Sequence, residues 1–498
     1  MNIFVNSFGI KCQRTALALL SQKIDINNLY ISKETNTENI KAKKIITFDR
    51  NTIPGWWQED VAESIVINTN VLNDLKHTEA DFFYLLERYK PFFHYKGFPK
   101  NMDGEKLNKA LFNKYYNPYY TPSEGKRLYH ILLNKWLSFF LDNPVDLYIT
   151  SHIPHEPQRY LVYRIVKYLK IRTIMLGFTP IPGRVLIYSD FKENNPEIKK
   201  TYEDNILKEK IQLSDEMKKI YNEKTKPIDQ QKGLFYMEKG FFQNNPFATL
   251  KAESILTGFI KKIRQLADVD FLYLKIKGVY TDKYYKKSTN FLSDHKRNIS
   301  DLPENFFYFP LHVQPELTTF PKGGDFTDQL LIIDYVVSYL PKNYYIVVKE
   351  HPNQAIRGRR SLLFYQELIN NSKIFIASTE TNSKKLTKKS KGVISIAGTV
   401  LWEALFLKKP GLMFGYHLNM FLPNVFPIRT LRDCKNAVNN IINNDFRITE
   451  NNIKAILAAI QEHSVEAVMD GIMQKGTHIS EQQCAENLSK EIIKKVKK

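Results

Sequence analysis

No stretch of about 18 apolar residues occurs in this sequence, which excludes a helix that spans a bilayer. Cysteine is scarce. Cys12, Cys434 and Cys484 lie far apart along the chain and fit neither a disulfide framework nor a metal-ligand spacing, the pattern of a reducing cytoplasm. Acid is also in short supply: 52 Asp and Glu stand against 72 Lys and Arg, leaving a net charge of +20. A strongly basic chain is expected to meet an anion, here an anionic substrate or a membrane surface. No zinc-finger, RRM, KH or basic-helix signature accompanies the 28 Tyr and 32 Phe, so no nucleic-acid partner is expected. The start, MNIFVNSFGIKCQRTALALL, lacks the basic, apolar and small-residue segments of a signal peptide and reads as a first strand. A cytoplasmic protein is expected, with peripheral contact on the inner membrane face as an extension of the charge argument.

What the sequence does contain is rhythm. Its 498 residues exceed one core, and 43% hydrophobic with 25% charged residues is ordinary for a globular chain. Short apolar runs alternate with helix-periodic segments: IFVNS, then TALALLS, then NNLYIS, and later VDLYIT, PQRYLVYRIVKYLKI and RTIMLGF. That alternation predicts α/β units with a parallel sheet over residues 1–190. Residues 191–302 turn polar and helical and read as an insertion or linker. From 303 to 445 the rhythm returns with fully apolar strands, FFYFPLHV, NYYIVVKEHP, KIFIAS, GVISIAG and PGLMF, as a sheet covered on both faces requires. Residues 446–498 read as C-terminal helices.

Open α/β sheets bind ligands beyond the carboxyl ends of their strands, so the loops there are the candidates. After FFYFPLHV come Gln314, Glu316, Thr318 and Thr319, with Gly323 and Gly324 beyond; the bland alternative is a capped loop leading to the next helix. After YYIVVK come Glu350, His351 and Pro352, where the imidazole is placed to bond a phosphate oxygen. Ser395, Gly398 and Thr399 open the helix TVLWEALFL, whose free N–H groups and dipole suit an anion and need no metal. Glu403 lies one turn on, within reach of a ribose hydroxyl; the alternative is an ordinary N-cap at Thr399 with Glu403 in solvent. In the first half, His155 and Glu156 follow VDLYIT and are placed to deprotonate an acceptor hydroxyl, or else to cap a helix. Asp268-Val269-Asp270 has the DxD form of metal-dependent sugar transferases but lacks identifiable further oxygen ligands, so no metal is expected. The lysines of KKLTKKSK, 384–391, read as a solvated helix face, with anionic lipid as the minor alternative.

The phrases FPLHVQPE, KEHP and SKGVISIAGTVLWEALFLKKP together resemble the bacterial capsule polysaccharide biosynthesis family, which includes Kdo transferases. SHIPHEPQRYLVYRIVKYLKI and TPIPGRVLIYSDF are similar to surface-carbohydrate members of it, so the resemblance covers about 145–190 and 303–425. It implies a GT-B fold, in which two Rossmann-like domains face a cleft: an acceptor domain over 1–190 and a nucleotide-sugar domain over 303–445. It implies a glycosyltransferase of capsule or surface polysaccharide assembly. The donor would be a nucleotide-sugar, CMP-linked and acidic, and the acceptor lipid-linked or a glycan, with no resident cofactor. His351, Gly398 and Thr399 would hold the donor phosphate, with Gln314, Glu350, Pro352 and Ser395 around them, and Glu403 the ribose. Glu316 falls near a motif where the Kdo transferases usually carry Asp, and is a catalytic candidate with His155 and Glu156. The alternatives are a UDP-sugar GT-B enzyme, a 2-epimerase, or a non-catalytic assembly or export subunit.

Overall fold

The computed structural model describes residues 1–8, 10–32, 35–48, 75, 78, 81, 94–96, 117–119, 122–155, 157–193, 195–231, 286–314, 316–354, 360–443, 446–469 and 477–497. The first half runs β1 (Ile3–Ser7), α1 (Lys11–Ser21), β2 (Asn28–Ser32), β3 (Lys44–Phe48), a short parallel pair β4 (His94–Lys96) and β5 (Asn117–Tyr119), α2 (Pro122–Asp142), β6 (Leu147–Thr150), α3 (Pro157–Tyr168), β7 (Arg172–Phe178) and β8 (Arg184–Tyr188). Two helices of the linking segment follow, α4 (Glu197–Ile206) and α5 (Asp215–Thr225). The second half runs β9 (Lys296–Arg297), β10 (Phe306–Pro310), α6 (Gln329–Val337), β11 (Tyr345–Lys349), α7 (Leu362–Asn370), β12 (Ile374–Ala377), α8 (Ser383–Lys389), β13 (Gly392–Ser395), α9 (Val400–Phe406), β14 (Gly411–Met413), β15 (Val425–Pro427) and α10 (Leu431–Ile442). The chain ends in α11 (Glu450–His463), β16 (Val465–Glu466) and α12 (Glu481–Lys497).

Each half builds a seven-stranded sheet. The second is ordered β15-β14-β13-β10-β11-β12-β9 and is parallel throughout. Without edge strand β9 this is the doubly wound order 3-2-1-4-5-6, which reverses between β10 and β13. The first sheet is ordered β16-β8-β7-β6-β1-β2-β3, with a parallel core that reverses between β1 and β6. Two Rossmann-like domains of this kind in one chain form the expected GT-B-like α/β architecture. The central strands are apolar because helices cover both faces: Phe306, Phe307, Tyr308 and Phe309 of β10 are fully buried. Caps set the helix starts. Ser361 accepts the Phe364 N–H, Asn382 those of Lys384 and Lys385, and Thr430 forms a capping box with Asp433.

The described structure departs from the expected boundaries in three ways. The segment after 446 is not a separate helical unit. β16 pairs antiparallel with β8, and α12 packs its Cys484, Ala485, Leu488 and Ile492 face onto α1, so the tail completes the first domain. Cys12 and Cys484, remote in sequence, come to 2.8 Å between sulfurs in that contact. β9 carries the second sheet back to Lys296, ahead of the expected start at 303. The linking helices are bound into the body. Arg184 pairs with Glu216 at 2.6 Å, and Tyr202 Oη accepts from Asn452 Nδ2 of α11 at 2.8 Å. Asp268-Val269-Asp270 lies outside the described residues. Among those residues no helix is long and apolar enough to cross a membrane.

The domains meet through one apolar cluster that draws on both: Ile153, Tyr160 and Met175 pack with Phe320, Trp402, Leu405 and Leu418. Tyr160 and Phe320 stack edge-on at 5.0 Å. Lys385, Lys388 and Lys389 of the lysine-rich helix α8 are exposed, as a solvated face requires, and three of its lysines also bond neighbouring segments. Lys384 donates to Gln231 Oε1 at 2.7 Å, Lys385 pairs with Asp229 at 3.3 Å, and Lys389 donates to the Ile299 carbonyl at 3.0 Å.

Candidate active site

The carboxyl edge of the second sheet gathers the loops after β10, β11 and β13, and an inner layer of polar groups ties them together. His312, two residues past β10, is buried. Its Nε2 accepts the Ile396 N–H at 3.0 Å and lies 3.1 Å from Ser395 Oγ. Ser395 Oγ in turn accepts the Gly398 N–H at 2.9 Å. Gln329 of α6 pins the His312 backbone, taking its N–H at 2.7 Å and donating to its carbonyl at 3.2 Å. Arg360 reaches across from the start of α7. It donates to the His312 carbonyl at 2.5 Å, to Gln314 Oε1 at 3.2 Å and to Glu350 Oε2 at 2.8 Å. Tyr365 Oη also donates to Glu350 Oε2, at 2.6 Å, and the His351 N–H to Oε1, at 2.7 Å.

These contacts sort the expected donor-binding residues. Gln314, Glu350 and Ser395 have their polar groups engaged by the protein: Gln314 Oε1 also receives Gln329 Nε2 at 2.8 Å, and its Nε2 donates to the Thr327 carbonyl at 3.3 Å. They position the site instead of offering free groups to a ligand. Pro352 shapes the turn in which the Gln354 N–H returns to the His351 carbonyl at 2.9 Å.

The remaining side-chain candidates at this edge each keep a polar atom that no described residue engages. His351 Nδ1 accepts the Asn353 N–H at 3.1 Å, so the neutral ring carries its proton on Nε2. Burial lowers the His351 pKa against the pull of Glu350 and Glu316, so at neutral pH it is a neutral N–H donor. Thr399 is exposed, and its hydroxyl caps nothing: its backbone is already helical and no side-chain cap bond forms. The alternative of an ordinary N-cap therefore does not describe it. The Glu403 carboxylate makes no hydrogen bond or ion pair with described residues. Burial raises its pKa, opposed by Lys384, Lys224 and Lys349. Lys224 reaches this corner from α5. Glu316 accepts the Thr318 N–H at 3.2 Å and hydroxyl at 2.9 Å, both on Oε2, and its other oxygen is left over.

Across the interface, His155 Nδ1–H donates to the Ile153 carbonyl at 2.8 Å, which fixes Nε2 as the basic atom of the neutral ring. Beside it His152 Nε2 accepts from Arg159 at 3.0 Å. No described contact joins His155 to Glu316 or His351. Glu156 lies outside the described residues. A cavity of about 370 Å³ opens between the domains, lined by Tyr163, Arg164, Lys192, Phe320 and Asp325 among others; it flanks the Glu316 loop without including the His351 cluster.

Sequence reading missed His312 and Arg360. His312 carried a signal, a histidine two residues past an apolar strand, but Arg360 had none because its partners are loops distant in sequence. Burial, then the charges of His351 and Arg360, push the His312 pKa down from 6.5 to about 3. The folded chain thus keeps this ring neutral while the unfolded chain protonates it. Stability present above pH 6.5 is lost as the pH falls toward 3, by about 1.4 kcal/mol per unit. His312→Gln is expected to flatten that acid slope, read from urea midpoints at about pH 7 and pH 4.5. Equal slopes in the two proteins would contradict it.

No family model and no curated protein matches the chain. Solved structures similar to it include the UDP-GlcNAc 2-epimerase from Methanocaldococcus jannaschii, at 13% identity and TM-score 0.26 over 93% of this chain and 98% of that one. Another is the beta Kdo 2,7 transferase of KpsC from Thermosulfurimonas dismutans, at 12% identity and TM-score 0.30 over 82% and 99%. A third is HepE from Anabaena in complex with UDP-glucose, at 9% identity and TM-score 0.26 over 100% and 99%.

Proposed function

We propose that the protein is a GT-B glycosyltransferase of capsule or surface polysaccharide assembly. It moves a sugar from a nucleotide-sugar, CMP-linked and acidic in this reading, to a lipid-linked or glycan acceptor at the inner membrane face. One observation carries the proposal: Glu316, His351 and the Gly398–Thr399 turn that opens the Glu403 helix follow β10, β11 and β13, the strands at and beside the switch point of a doubly wound sheet. The sequence resemblance points the same way.

Transfer breaks the bond between the sugar's anomeric carbon and the donor phosphate and forms one to an acceptor hydroxyl. Charge leaves on the phosphate, so preorganised donors aimed there lower the barrier. The Nε2–H of His351, the Thr399 hydroxyl and the N–H groups opening α9 supply them. Glu403 takes the ribose hydroxyls, with Lys224, Lys349 and Lys384 keeping its charge in balance. The acceptor's proton goes to Glu316 or to His155 Nε2. Gln314, Glu350, Ser395, His312 and Arg360 hold the donors in place, which matters because a displacement near 1 Å costs about a hundredfold in rate.

The test is scanning calorimetry of the full chain against CMP, CDP, UDP, GDP and ADP, since a ligand of the folded state raises Tm. The expected result is a shift with CMP that His351→Ala removes while still folding. A shift with UDP or GDP alone would keep the fold's chemistry and discard the CMP donor. No shift at millimolar nucleotide would overturn the enzyme reading in favour of an assembly subunit.

A further inference from the structure

Lys322 is only 7% exposed, yet its ammonium makes no hydrogen bond and no ion pair with any described residue. Among the described residues, two titratable groups interact with it. Glu316, on its own loop, is near enough to pull its pKa up, but too far to pair. His417, from the segment after β14, is held neutral by burial and by the Lys322 charge itself. An ammonium buried without a partner is destabilising, and a fold that keeps one has left room for an anion it does not itself provide.

Its position says which anion. The Lys322 carbonyl accepts the Tyr416 N–H at 2.7 Å, and the neighbouring Gly415 N–H donates to Ile396 at 2.8 Å. A Cβ on Gly415 would lie 2.6 Å from the Lys322 carbonyl oxygen, so the two backbones are in close approach. Lys322 is thereby seated on the end of β14, one strand from the Gly398 turn that follows β13. Asn419 closes the wall: its Nδ2 donates to the Gly398 carbonyl at 3.1 Å and its N–H to His417 Nδ1 at 3.3 Å. Glu403 interacts with Lys224, Lys349 and Lys384, whereas the carboxylate that acts on Lys322 is Glu316, which sets Lys322 on the Glu316 side of the site.

We propose that Lys322 binds the oxyanion at the sugar end of the donor, either the leaving phosphate or a carboxylate on the transferred sugar. This rests on the nucleotide-sugar reading above. The test compares wild type, Lys322→Met and Lys322→Arg as full chains, by calorimetry and by titration with inorganic pyrophosphate, CMP and CMP-N-acetylneuraminate. Unliganded K322M is expected to melt above wild type, because the unpaired ammonium is gone, and to bind the anion at least tenfold more weakly. K322R keeps the charge and most of the affinity. Loss of CMP affinity identifies the phosphate; loss confined to CMP-N-acetylneuraminate identifies the carboxylate. K322M melting below wild type, or binding all three probes within twofold of it, marks a structural lysine and overturns the proposal. Pyrophosphate binding that depends on Lys322, without nucleotide binding, keeps the anion site and removes the nucleotide-sugar reading. Nucleotide binding indifferent to Lys322 does the reverse, and no binding of any probe by wild type removes both.

Discussion

Arg360→Met is expected to destabilise the second domain by about 3–5 kcal/mol, the usual loss when one partner of a buried ion pair is removed. The Arg360 and Glu350 side chains are 5% and 7% exposed, so the carboxylate left behind has little water to turn to. Tyr365 Oη and the His351 N–H would still bond it, but its counter-charge would be gone. The His312 carbonyl and Gln314 Oε1 lose a donor in the same step, and the guanidinium's stacking over Phe364, at 4.6 Å, goes as well. The damage should be coupled. Glu350→Gln in the Arg360→Met background is expected to recover part of the loss, since it removes the charge that was left unpaired. Urea midpoints of the four proteins of this cycle measure it. A loss below about 1 kcal/mol for Arg360→Met, or strict additivity of the pair, would show that the guanidinium does not hold these loops.

Gly398→Ala is expected to cut turnover by at least about a hundredfold, the scale of a misplacement near 1 Å. A Cβ at this position would sit 2.6 Å from His312 Cε1 and 3.0 Å from Ser395 Oγ. Neither neighbour yields easily. His312 is fixed by Ile396, Gln329 and Arg360, and Ser395 Oγ by the Gly398 N–H itself. The turn must therefore open, moving Thr399 and the first N–H groups of α9, the groups proposed to hold the donor phosphate. Overpacking of this kind also costs about 1–3 kcal/mol of stability. The CMP-induced rise in Tm should fall with the turnover, which separates a displaced cradle from a chemical defect. An alanine variant with wild-type nucleotide response and turnover would sink this account of the glycine.

Much of the second domain was legible in advance, for a specific reason. Buried parallel strands must be apolar on both faces, so FFYF, YIVV and GVIS stand out between polar segments and prolines. Helix lengths were less legible. The segment through Pro341 reads as one helix, but α6 starts at Gln329 because Asp328 caps the Leu330 N–H, and past Val337 the chain tightens into three-residue turns at Tyr339 and Leu340. The strands β9 and β16 have two residues each and carry no periodicity to detect. The return of the tail to the first domain was hidden with β16. Nothing in Glu481–Lys497 names α1 as the partner of its apolar face.

The candidate site divides along the same line. By itself the sequence determined the α/β class, the strands, and hence which loops lie at a carboxyl edge, because all of these follow from local periodicity and composition. It also placed His351, Gly398, Thr399 and Glu403 among the candidates. Only the tertiary structure decided which polar residues are free and which are taken. Glu350 and Gln314 read as ligand groups until Arg360 is brought to them, and Lys322 reads as a surface lysine until the fold buries it without a partner. The physical reason is separation along the chain. His312 finds its partner Ile396 some 84 residues away and Gln314 finds Arg360 at 46, and no local pattern encodes a hydrogen bond closed by the packing of a whole sheet.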